Sequence, residues 1–135
     1  GFLFQLPPSF HYSEENLTKV LETVDPSFLN VFEFRHESWW REEIFKTLEK
    51  NHIFFAGVSI PKNIPDDFIV NNPNFAYYRL HGVPTLFKSE YSKEFLKDLA
   101  EKIQKYSGKT FIMFNNTWGN AGIKNALELK NILKI

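Results

Sequence analysis

The chain has 135 residues in which Lys+Arg and Asp+Glu each total 16, so no long-range field draws it to a polyanion, and nucleic acid or an anionic membrane would need a local basic patch. Without cysteine it has no disulfide framework and no thiolate for a metal site or a nucleophile, which fits a reducing compartment. No stretch approaches the roughly 18 apolar residues of a spanning helix, and Gly1 to Phe10 lacks the basic start and long apolar run of a secretion signal, so the sequence reads as one soluble, cytoplasmic domain with no membrane partner.

Phe2 to Leu6 is a short apolar run stopped by Pro7 and Pro8, which predicts a first strand with Gln5 at its end. Ser13 then precedes Leu17, Val20, Leu21 and Val24, spaced three and four apart, so a capped amphipathic helix follows. Val31 to Arg35 is a second predicted strand, and Ser38 is placed as the cap of a helix burying Ile44, Phe45 and Leu48, closed by Asn51. Ile53 to Ser59 predicts a third strand. Pro61, Pro65 and Pro73 make the stretch to Asn74 irregular, because each removes a donor and disfavours helix.

Phe75 to Leu80 predicts the fourth strand, followed by a helix capped by Ser92, carrying Leu96, Leu99 and Ile103, and ended by Gly108. Phe111 to Phe114 is the fifth strand, and a last helix carries Ala126, Leu129 and Leu133. Strand and helix alternate, so the fold class is α/β with a parallel sheet. An aromatic share of 17%, with 15 Phe, points to a large packed core rather than to cofactor-sized cavities, and no cofactor is predicted.

The polar residues of these strands fall at their C-terminal ends: Gln5, Glu33 with Arg35, Ser59, Arg79 with His81, and Asn115 with Asn116. In β/α folds that edge gathers ligands, because short loops and helix N-termini converge there. Residues two apart share a strand face, so Glu33 and Arg35, or Arg79 and His81, point together while Phe32, Phe34, Tyr78 and Leu80 point the other way. Charges so placed must pair to be buried, and Glu33 is expected to pair with Arg79 or Arg35. The network either satisfies a barrel interior or serves catalysis, and His81 is either a general acid or base or a hydrogen-bonded structural residue.

His36, His81 and Glu33 offer metal-ligand chemistry without diagnostic spacing, and two neighbouring arginines repel a cation; no metal is predicted. Of Trp39 and Trp40, one can pack in the core while the other faces the mouth as a stacking platform. Asn115 to Ala121 places amides and a glycine at a strand-to-helix turn able to bind an anion, without the lysine of a phosphate-binding loop. No Gly-x-Ser-x-Gly elbow is present, so a serine-hydrolase triad is not supported.

Taken together, Phe4-Gln5-Leu6-Pro7-Pro8-Ser9-Phe10, Glu33-Phe34-Arg35-His36-Glu37-Ser38-Trp39, Tyr78-Arg79-Leu80-His81-Gly82 and Phe114-Asn115-Asn116 closely resemble the YecE-like family, known as domain of unknown function 72. The motifs stand in family order and span nearly the whole chain. The resemblance implies a TIM-barrel-like fold without an established activity, with Gln5 on the fourth barrel strand and Asn115 on the eighth. About five βα units are then present, and the first three have no counterpart in residues 1–135. It also implies two departures: Ser59 stands where an acid is frequent, and Phe87 where a tyrosine is common.

The resulting expectation is a small polar ligand, phosphorylated or sugar-like, held at the strand ends. Glu33 and His81 are assigned catalytic proton transfer, and Gln5, Arg35, His36, Trp39, Arg79, Asn115 and Asn116 are assigned ligand binding. A nucleic-acid-binding module using the same arginines with Trp39, and a non-catalytic interaction or remnant domain, are the alternatives. Five parallel strands cannot close a barrel of eight, so the chain is expected to belong to a longer barrel or to complete its sheet by self-association, with Phe2 to Leu6 as the exposed edge.

Overall fold

The computed structural model describes all 135 residues. Five strands, β1 (Phe2–Gln5), β2 (Asn30–Glu33), β3 (Ile53–Ser59), β4 (Phe75–Leu80) and β5 (Lys109–Phe114), form one sheet in the order β1-β2-β3-β4-β5. Every neighbouring pair is parallel. Helices α1 (Glu14–Thr23), α2 (Glu42–Lys50), α3 (Lys93–Gln104) and α4 (Ala121–Leu133) alternate with the strands. Between β3 and β4 the crossover is the proline-bearing segment 60–74 rather than a helix.

Strand alternation sorts the side chains into two layers. On the helix side, Phe32, Phe34 and Phe55 pack with Trp39, Ile44 and Leu48, while Tyr78 and Leu80 pack with Leu96, Leu99 and Leu129. On the opposite face Val31, Ala56 and Phe75 are buried among Phe54 and Tyr77. That face is concave. Phe2 and Leu3 of β1 line the same cavity of about 380 Å³ as Phe111 and Met113 of β5, and Arg79 on β4 reaches Gln5 on β1 at 3.0 Å, although three strand spacings span about 14 Å along a flat sheet. The chain is therefore a partial barrel, open along the outer sides of β1 and β5. On the β1 edge Phe2 is 52% exposed. No helix is long and apolar enough to cross a membrane.

Ser13 and Ser92 cap α1 and α3 as the sequence predicts, accepting from Asn16 N–H at 3.1 Å and Phe95 N–H at 3.2 Å. Ser38 does not cap α2. A 3-10 turn over Glu37–Trp39 intervenes, α2 starts after Arg41 without a side-chain cap, and Ser38 Oγ accepts from Tyr12 N–H at 2.7 Å. Nor does Gly108 end α3, which closes at Lys105 in right-handed geometry that needs no glycine. Gly57 has a specific steric role: a Cβ there would lie 2.5 Å from the Asp67 carbonyl oxygen, so the 60–74 segment lies directly on the sheet because position 57 carries no side chain.

Candidate functional site

Parallel pairing sets Gln5 beside Glu33 and Val58 beside Arg79, so Gln5, Glu33, Arg35, Arg79 and His81 meet at the C-terminal mouth of the concave face. Glu33 is fully buried at its centre. Arg35 Nε donates to Glu33 Oε1 at 2.6 Å, and Arg79 Nη1 donates to Glu33 Oε2. Both guanidiniums also donate to Gln5 Oε1, at 2.8 Å from Arg35 and 3.0 Å from Arg79. The Arg35 and Arg79 side chains keep 16% and 12% exposure, so one side of each fork reaches solvent. The expected pairing of Glu33 with Arg79 or Arg35 is realised with both at once.

Burial pushes the Glu33 carboxyl up, but the adjacent His81 ring and the Arg79 and Arg35 guanidiniums outweigh it and hold the group at about 2. A carboxylate so acidic, with both oxygens engaged, is a poor proton acceptor near neutral pH. Its two oxygens instead anchor the Arg35 and Arg79 guanidiniums. His81 is fully buried with Nε2 3.6 Å from Glu33 Oε2, too long for a hydrogen bond. Neither of its ring nitrogens has a partner, which is unusual for a buried polar group. Asn115 extends the ladder beyond β5, its N–H donating to the Leu80 carbonyl at 2.7 Å, and its register puts it on the concave side.

Two expected ligand-binding residues, Trp39 and Asn116, lie elsewhere, while His36 lines a cavity beside Arg35. Trp39 is fully buried, stacked on Phe34 at 4.2 Å with Nε1–H donating to the Phe10 carbonyl, so it offers no face to a base or sugar and the nucleic-acid reading loses its platform. His36 turns its Nδ1 to the backbone N–H of Ser38 at 3.2 Å, capping the 3-10 turn. Asn116 is fully buried and donates to the Ser89 carbonyl and to Asn125 Oδ1; it ties the loop after β4 to α4. Trp39 and Asn116 satisfy distant groups that local sequence does not reveal, whereas His36 serves Ser38 two residues on.

Behind the mouth, on the helix side, lies a network that sequence reasoning missed. Gly82 N–H donates to Tyr91 Oη, Tyr91 Oη–H donates to Ser59 Oγ, and Ser59 Oγ–H donates to Asp66 Oδ2, each at 2.8 Å. Tyr78 Oη–H donates to Asp66 Oδ1 at 2.7 Å. Burial, then Asp66, pushes the Tyr78 phenol far up, and burial also raises Tyr91. Asp66 thus brings a carboxylate to Ser59, the position where the resemblance implies an acid, from a loop with no recognisable motif. The network joins the loops after β3 and β4 to Ser59 at the end of β3 and to Tyr78 on β4, the strand that carries Arg79. Tyr91→Phe is expected to cost about 1–3 kcal/mol in urea unfolding, because the Gly82 N–H and Ser59 Oγ lose a buried partner; an unchanged midpoint would rule out this role.

The whole chain, residues 1–135, matches the family model described as Protein of unknown function DUF72. No curated protein matches it. Among solved structures, a DUF72 family protein from Thermotoga maritima MSB8 is 31% identical with a TM-score of 0.82, the match covering 98% of this chain and 57% of that one. A DUF72 family protein from Enterococcus faecalis V583 is 24% identical with a TM-score of 0.84, covering 99% and 58%. The chain thus spans less than two thirds of the length of the solved structures it matches.

Proposed function

The chain belongs to the DUF72 family of proteins of unknown function, and on the chemistry of its strand-end cluster we propose that it binds a small phosphorylated or sugar-like anion there, with Arg35 and Arg79 as clamps. The observation that carries this reading is the charge balance: two guanidiniums converge on one carboxylate, leaving one positive charge in excess. Each guanidinium has five N–H donors in a planar fork. Glu33 and Gln5 engage two of Arg35's nitrogens and one of Arg79's, so donors remain for a phosphate or carboxylate, which suits paired recognition. His81, whose two ring nitrogens are buried beside this carboxylate without a hydrogen-bond partner, is the group we assign to proton transfer on a bound ligand.

Inorganic phosphate is expected to raise the unfolding temperature by about 4 °C at tenfold excess over its dissociation constant. Arg79→Met is expected to abolish the rise, and a chelator is expected to change nothing. No response to phosphate or sulfate at tens of millimolar, or stoichiometric zinc bound through His81, would overturn the reading.

A further inference from the structure

At the mouth, Phe87 holds a left-handed backbone conformation. Its φ is +62°, a region that bulky side chains rarely enter and that glycine or asparagine occupies at little cost. Two backbone hydrogen bonds enforce it: Phe87 N–H donates to the His81 carbonyl at 2.6 Å, and Trp118 N–H donates to the Phe87 carbonyl at 3.0 Å. One bond comes from His81, directly after β4, and the other from Trp118 in the loop between β5 and α4, so the position is held between the two loops at the strand ends. The ring is 45% exposed, so part of it remains open to solvent. It stands 6.0 Å from the His81 ring at 62°, and His81 in turn touches the carboxylate that anchors Arg79. Trp118, on the loop that clamps Phe87, is 68% exposed with Lys88 Nζ 4.9 Å over its ring.

We propose that Phe87 is the wall of the site against which a flat ring of the ligand packs, so that the ligand is a ring-bearing phosphate of the nucleoside monophosphate class rather than a bare anion. The inference rests on the anion reading of Arg35 and Arg79 and deepens it. Strained backbone persists where the surroundings over-determine it and concentrates at ligand sites, and a half-exposed aromatic linked to the arginine pair through His81 and Glu33 supplies stacking where the arginines supply charge. A phosphate seated on the arginines would then carry its ring past His81 onto Phe87.

The test is calorimetric titration of inorganic phosphate, ribose 5-phosphate and adenosine 5'-monophosphate into the wild-type protein and Phe87→Gly. Glycine accepts the positive φ, so this variant loses the ring without new strain, and an unfolding temperature no lower than wild type checks that it folds. Phe87→Asn, which also tolerates that backbone, is the second variant. The wild type is expected to bind the adenosine monophosphate roughly tenfold more tightly than ribose 5-phosphate, and both variants are expected to reduce that preference to under about twofold. Equal affinity of the wild type for the two, or a preference that survives in the variants, overturns the inference while leaving the anion site standing. Failure of all three probes to bind overturns both.

Discussion

Replacing Glu33 by Gln is expected to destabilise the protein by about 3 kcal/mol near pH 7, because a carboxyl held at about 2 against an ordinary 4.5 corresponds to roughly that much preferential stabilisation of its charged form. Glu33→Ala should cost about 3–5 kcal/mol, since it also leaves Arg35 and Arg79 facing each other without a counter-ion. Between pH 4.5 and 2 the folded state binds fewer protons at Glu33 than the unfolded state does. The contribution is therefore complete above about pH 4.5 and is lost as the pH falls through about 2. Urea unfolding of wild type and Glu33→Gln across this range should converge toward equal stability near pH 2, where the protonated carboxyl resembles the amide. A gap below about 1 kcal/mol at neutral pH would mean that solvent screens the cluster as it does a surface pair.

That cluster was legible in the sequence for a simple geometric reason. Strands in register on a parallel sheet present alternate residues to one face, so Gln5, Glu33, Arg35, Arg79 and His81 are brought together by spacing alone once the strands are identified. The strands themselves were marked by apolar runs ended by prolines or polar clusters, as at Leu6-Pro7-Pro8. What the sequence concealed depends on contacts between distant segments. The 3-10 turn over Glu37–Trp39 resets the phase between β2 and α2, so Ser38 meets Tyr12 instead of capping a helix. Asn116 looks like a mouth residue until the loop it ties to α4 is seen. Asp66 sits among prolines with no motif, and Phe87 carries no local sign of its positive φ, which is imposed by bonds to His81 and Trp118. The same separation divides the mouth, because the strand ends supply the charged cluster while the loops supply Phe87 and Asp66, and loops are where related barrels vary.

Trp39→Ala is expected to produce the other large loss, about 3–5 kcal/mol, because it empties a fully buried indole from the core. The ring lies between Phe34, at 4.2 Å and 18°, and Phe10, at 5.7 Å and 5°, with Tyr12 edge-on at 5.2 Å. Its Nε1–H donates to the Phe10 carbonyl at 2.8 Å, fastening the segment that leaves β1 just beyond Gln5. Removing it creates a cavity and strands that carbonyl without its donor. Trp39→Phe keeps much of the ring and should cost about 1–2 kcal/mol less than the alanine change, the remainder reporting the lost indole donor. Urea midpoints measure all three forms, and phosphate titration of the same proteins separates packing from recognition. If Trp39 is a core residue, stability falls steeply while the phosphate affinity of the folded fraction stays within about twofold of wild type. A variant that unfolds at the wild-type midpoint but loses phosphate binding would instead place this indole at the ligand, and would require the segment from Phe10 to Tyr12 to move aside and uncover it.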